Sequence, residues 1–220
     1  MQFIRSVTRL DPKNPNGRTI VYMHGYGGFI WQARRQLKVL KEDGYKIVAL
    51  DFKLILRSHN PQDLIDLMDE VNALFVEEKL IDPNLIMVGI SLGGLVGYNM
   101  IRRHSELTKL IVITGGNIAL LPSDRSLNKK WKTTREELTD RWEGVNMATK
   151  VGLLKGKHII MFLPIRDRLI NPEEVVSEFD LHQAYNRIEL IRTKGGHFRT
   201  IITQTILSPK TLLRLIDELG

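Results

Sequence analysis

A chain of 220 residues, 43% hydrophobic and 26% charged, is long enough to bury a substantial core and is composed like an ordinary globular protein. It contains no cysteine, which excludes disulfides, thiol catalysis and cysteine-ligated metal sites. The net charge of +7 raises the question of nucleic acid. The basic residues are dispersed, however, with short pairs at Arg34-Arg35, Arg102-Arg103 and Lys129-Lys130 and no interleaved aromatics, so the expectation is a solvated basic surface and no nucleic-acid partner.

The first residues, Met1-Gln-Phe-Ile-Arg-Ser-Val-Thr-Arg, lack the apolar run of a secretory signal, and no stretch is apolar for long enough to span a membrane. A cytoplasmic protein of one domain over residues 1–220 is the resulting expectation.

Residues 2–10 alternate loosely at Phe3, Arg5, Val7 and Arg9 and read as an edge strand, closed by the turn cluster Asp11–Gly17. Arg18–Met23 reads as the next strand and runs into His24-Gly25-Tyr26-Gly27-Gly28. Trp31–Asp43 has helical spacing at Trp31, Leu37 and Leu40 and is stopped by Gly44. A short buried strand, Lys46–Leu50, ends at Asp51. The spacing of Leu64, Leu67, Met68, Val71, Leu74 and Phe75 predicts a helix over 62–79.

Leu85–Val88 reads as a buried strand and Leu95 onward as a helix, with Gly89-Ile90-Ser91-Leu92-Gly93 between them. A strand that turns sharply into a helix strains the middle residue of such a G-x-S-x-G pentapeptide and lifts its side chain above the sheet. A Cβ at Gly89 or Gly93 is expected to collide with the neighbouring strand or helix. Lys109–Thr114 is a further apolar strand, closed by Gly115-Gly116.

Residues 117–155 break the rhythm. They are polar, with a helix predicted near 134–143 that opens on the capping box Thr134-x-x-Glu137. Strand character returns at His158–Leu163. A helix starts at Asn171-Pro172, a last strand covers Ile188–Arg192, Gly195-Gly196-His197 reads as a loop, and Pro209–Leu219 as the closing helix. Continuous apolar strands alternating with amphipathic helices predict an α/β fold, a mostly parallel sheet covered on both faces. Ligands of such a sheet sit beyond the carboxyl ends of its strands, where Ser91, His24-Gly25-Tyr26, Asp167 and His197 all fall.

On these residues the chain resembles the α/β-hydrolase superfamily over nearly its whole length. Gly89-Ile-Ser-Leu-Gly93 matches the family's nucleophile elbow, and His24-Gly25-Tyr26-Gly27 its His-Gly loop. The order Ser91, Asp167, His197 matches its triad. The segment Leu-Pro-Ile-Arg-Asp167-Arg-Leu-Ile-Asn-Pro172 is similar to the family's acid motif, with Pro164 where glycine is usual.

The resemblance implies a serine nucleophile at Ser91, a general base at His197 and an orienting carboxylate at Asp167. It also implies an oxyanion hole from the backbone N–H groups of Tyr26 and Leu92, with His24 bracing its loop beside Gly25. Asp51 is read as structural, and the stretch 52–58 lacks the family's usual P-G-x-G. The insertion 117–155 stands where the family carries a lid, with Trp131, Leu138, Trp142, Val145 and Met147 as its apolar underside.

The implied activity is hydrolysis of a small-molecule carboxylic ester or thioester through an acyl-enzyme. Neither cofactor nor metal is expected, since no His/Asp/Glu cluster has ligand spacing. The same triad serves amidases, acyltransferases and C–C hydrolases, and non-catalytic binding proteins also use the fold. Dehalogenases and epoxide hydrolases carry an aspartate where this chain has Ser91.

Overall fold

The computed structural model describes residues 2–26, 28–53, 62–115, 134, 136–137, 140, 155–169, 171–183, 187–206 and 209–220. Seven strands form one sheet: β1 (Ile4–Leu10), β2 (Thr19–Met23), β3 (Lys46–Phe52), β4 (Leu85–Ile90), β5 (Lys109–Ile113), β6 (His158–Pro164) and β7 (Arg187–Thr193). Their spatial order is β1-β3-β2-β4-β5-β6-β7. β1 pairs antiparallel with β3 at one edge, and every other pair is parallel. The α/β fold and the edge position of β1 agree with the sequence reading.

Among the described residues six helices flank the sheet: α1 (Arg34–Glu42), α2 (Gln62–Glu77), α3 (Leu92–Arg103), α4 (Pro172–Gln183), α5 (His197–Ile201) and α6 (Pro209–Glu218). α2, α3 and Val175 of α4 pack on one face of the sheet, and α1 and α6 pack on the other. The i, i+3, i+4 pattern of α2 is buried at each position read from the sequence, Leu64, Leu67, Met68, Val71, Leu74 and Phe75. Each such side chain contributes about 1.5–3 kcal/mol of transfer free energy.

Several boundaries move. β4 runs two residues further than read, through Gly89 and Ile90, so the turn at Ser91 follows the strand directly. Trp31 does not lie on the buried face of α1. It sits in a 3-10 turn, Ile30–Ala33, and is 64% exposed, while Gln36 takes an interior position between Tyr22 and the Gln204 carbonyl. His197 is not in a loop. It opens α5, with Gly196 extended as its cap, and the helix continues as a π turn over Ile202–Ile206.

The start of α4 is as read: Asn171 Oδ1 accepts the Glu173 N–H at 3.1 Å. The capping box also forms, since Thr134 N–H donates to Glu137 and Glu137 N–H donates to the Thr134 hydroxyl. Trp131, Leu138, Trp142, Val145 and Met147 lie outside the described residues, as does the stretch 54–61. Among the described residues no helix is long and apolar enough to cross a membrane.

Candidate active site

Ser91 joins β4 to α3 with φ 50° and ψ −110°, a conformation that costs a non-glycine residue free energy and persists where its surroundings enforce it. The enforcement is visible on both sides. A Cβ at Gly89 would stand 2.3 Å from the Gly93 carbonyl oxygen, and one at Gly93 would stand 2.2 Å from that of Met23. Only glycines let the helix start press this closely onto β4 and β2. Ser91 N–H donates to the Ile113 carbonyl at 2.9 Å, tying the turn to the end of β5.

His197 reaches the serine from the start of α5, which follows the edge strand β7. Its Nε2 is 3.1 Å from Ser91 Oγ, and its Nδ1–H donates to Asp167 Oδ2 at 2.7 Å. Asp167 follows β6, and its other oxygen, Oδ1, accepts the Leu169 N–H at 2.8 Å, which fixes the carboxylate plane. The Asp167 and His197 side chains are 1% and 5% exposed, so little water competes for this contact. Arg166 and Arg168, the sequence neighbours of Asp167, are both exposed. The three residues chosen from the sequence thus form one continuous hydrogen-bonded chain.

The loop after β2 lies against the serine. A Cβ on Gly25 would be 3.2 Å from both Ser91 Cβ and the Ile90 carbonyl oxygen, so Gly25 is the residue that permits this approach. The Gly25 carbonyl accepts two bonds, from His24 Nδ1–H at 2.6 Å and from Gly28 N–H at 3.0 Å. In a trans peptide the following N–H points opposite to the carbonyl, so this double anchor fixes the direction of the Tyr26 N–H as well. Leu92 is the first residue of α3, where backbone N–H groups have no partner within the helix.

His24 is buried, and its Nε2 lies 2.7 Å from Asp51 Oδ1 and 2.8 Å from the Phe52 nitrogen. Asp51 is held in turn by the Arg5 guanidinium at 3.5 Å, and Arg5 stacks 4.9 Å over the Phe29 ring. Asp51 therefore belongs to a brace that runs from the edge strand to the Gly25 carbonyl.

Two participants escaped the sequence reading. Arg5 reaches the brace only because β1 pairs antiparallel with β3, a pairing that no local signal announces. Thr114 is buried at the end of β5 with φ 57°, and its Oγ1 lies 3.5 Å from His197 Nε2. Its place at a carboxyl strand end, just before Gly115, was the available clue.

A cleft of about 250 Å³ adjoins the serine turn, sharing Gly25, Tyr26 and Ile90 with it and walled by Phe29, Phe198 and Ile202. No cluster of metal-ligating side chains occurs among the described residues.

The family model for the alpha/beta hydrolase fold matches residues 18–205. The chain belongs to that family. A curated relative, an AB hydrolase superfamily protein of Bacillus subtilis (strain 168), is 26% identical over 104 residues, a match covering 45% of the chain and 38% of that protein. Among solved structures, an esterase of Pyrococcus furiosus is similar over 100% of this chain and 94% of its own, with a TM-score of 0.66 and 17% identity. A monoacylglycerol lipase of Paleococcus ferrophilus is similar over 97% and 98%, with a TM-score of 0.66 and 14% identity. A probable hydrolytic enzyme of Pseudomonas aeruginosa is similar over 97% and 89%, at 0.68 and 15%. At such identities the structures establish the α/β-hydrolase fold.

Proposed function

We propose that the chain is a serine hydrolase that cleaves carboxylic esters, thioesters included, through an acyl-enzyme. The observation that carries this reading is the unbroken contact from Asp167 through His197 to Ser91, at 2.7 and 3.1 Å, on a strained strand–helix turn.

In this mechanism Ser91 Oγ attacks the ester carbonyl carbon while His197 Nε2 takes its proton. Asp167 holds the imidazole in the tautomer that leaves Nε2 free to accept, and stabilises the imidazolium that forms. Negative charge moves to the carbonyl oxygen, where the N–H groups of Leu92 and Tyr26 are the donors. One donor of this kind contributes about 3 kcal/mol to lowering the barrier. The tetrahedral intermediate expels the alcohol or thiol, which receives the proton from His197. Water then attacks the acyl-enzyme with His197 again as base, releasing the acid and restoring Ser91.

His24 and Asp51 act through the loop rather than on the substrate, by anchoring the carbonyl that sets the Tyr26 N–H. The 250 Å³ cleft beside Gly25, walled by Phe29, Phe198 and Ile202, suits a slender apolar group of the ester. The test is a p-nitrophenyl ester series of increasing acyl length, assayed with the parent chain and with Ser91→Ala. Turnover by the parent that is abolished in the variant supports the reading. Turnover that survives in Ser91→Ala, or none by the parent with any ester or thioester, contradicts it.

A further inference from the structure

A second and larger concavity opens at the same end of the sheet, between the ends of the edge strand β7 and its neighbour β6 and the helix α5. Its volume is about 730 Å³. Arg166 comes from the end of β6, Lys194 and Gly195 from the end of β7, and Arg199, Thr200 and Thr203 from α5 and its π continuation. The two strand ends are stitched together, with Ile165 N–H donating to Thr193 O at 3.0 Å and Arg166 N–H to Gly195 O at 3.3 Å.

The charge of this cleft is one-sided. Among its described lining residues Arg166, Lys194 and Arg199 are cations, and none is an aspartate or glutamate. Some cations elsewhere on the surface are matched: Arg9 with Glu78, Arg103 with Asp69, Arg187 with Glu189, Arg214 with Glu218 and Lys38 with Glu42. The three cleft cations form no ion pair with any described carboxylate. Asp167, beside Arg166 in sequence, uses its oxygens on His197 Nδ1–H and Leu169 N–H. Cations gathered around a concavity without counter-charge repel one another, and the shape concentrates their field on whatever enters.

The lining also says what kind of anion fits. Among its described lining residues Ile165 is the one large apolar side chain, and none is an aromatic ring that would stack on a nucleobase or bury an acyl tail. Guanidinium groups match the tetrahedral oxygens of phosphate with paired N–H donors, and a lysine ammonium adds a mobile point charge. We propose that this cleft is a binding site for a small phosphate-bearing molecule, held by Arg166, Lys194 and Arg199. It requires neither Ser91 nor hydrolysis. The segments that carry the cations, the turn after β6 and the end of β7 with α5, also carry Asp167 and His197, so a bound phosphate would cross-link the two segments that hold the acid and the base.

Isothermal titration calorimetry with sodium pyrophosphate, on the full chain carrying Ser91→Ala, tests the site apart from the hydrolytic reading. The expected result is saturable binding of one anion that weakens as sodium chloride rises. It should weaken by about tenfold or more in Lys194→Glu with Arg199→Glu, since each lost charge-assisted contact matters. The charge-neutral pair Lys194→Gln with Arg199→Gln should weaken it in the same direction, which covers the case that reversing two charges unfolds α5.

Lys13→Glu with Lys155→Glu makes the same change in net charge at the opposite, amino-end edge of the sheet, where both lysines are exposed. That control should bind like the parent. Absence of saturable binding, or equal weakening in the control pair, overturns the proposal. So does co-sedimentation with phosphatidylglycerol vesicles in the absence of binding to free pyrophosphate, because the anion would then belong to a lipid surface.

Discussion

Gly93 lies directly against the Met23 backbone: the Cβ of any other residue at 93 would fall 2.2 Å from the Met23 carbonyl oxygen. This contact presses the start of α3 onto the end of β2, and so brings the strained serine and the loop carrying Gly25 and Tyr26 to one place. Backbone cannot retreat as a flexible side chain can. Gly93→Ala is therefore expected to lower Tm by about 10 °C and to lose activity even where it folds. Thermal unfolding followed by circular dichroism checks this, and an unchanged Tm would mean that the turn yields.

The two aspartates at the site edge should separate cleanly in kinetics. Asp167→Asn keeps the shape but presents an amide to His197 Nδ1, favouring the wrong tautomer, and turnover should fall by up to about ten-thousand-fold, by analogy with the protease triad. Asp51→Asn disturbs only the brace behind His24, so its loss should be far smaller. Near-parental turnover in Asp167→Asn together with inactivity of Asp51→Asn would reverse the assignment.

Ser91, Asp167 and His197, which the structure brings into contact, and the strands that carry them were legible in the sequence, for reasons that lie in particular residues. Gly89 and Gly93 are obligatory for the turn, and the apolar runs of β4, β5 and β6 mark buried parallel strands whose carboxyl ends must converge. What escaped depends on pairing between distant segments. Arg5 reaches Asp51 through the antiparallel pairing of β1 with β3. Lys157 is buried at the amino end of β6, where its ammonium donates to the carbonyls of His104, Ser105 and Leu107. Trp31 misled because helical spacing cannot distinguish a 3-10 turn from the first turn of an α-helix. His197 read as a loop residue because two glycines precede it, although the second, Gly196, caps the helix it begins.

One stability effect is separable from catalysis. His104, at the end of α3, donates through Nε2 to Asn72 at 2.7 Å, and burial lowers its pKa, with Arg103 and Lys157 nearby adding to the effect and Glu106 opposing it. A base with a lower pKa in the folded state binds its proton later than the unfolded chain does. Its contribution is therefore intact above the ordinary histidine value of 6.5 and declines as pH falls toward the lower folded value. His104→Gln keeps a donor for Asn72 but does not titrate. Urea unfolding between pH 7 and pH 5 should show a shallower loss of stability in this variant, and identical slopes would remove His104 from the account.

The most direct test of the central claim is to label the chain with a fluorophosphonate and locate the adduct by mass spectrometry. A single adduct on Ser91 is expected, abolished in Ser91→Ala and slowed in His197→Ala, with the circular dichroism of both variants unchanged. An adduct on another serine such as Ser58 or Ser123, or no adduct in the folded parent, would contradict it.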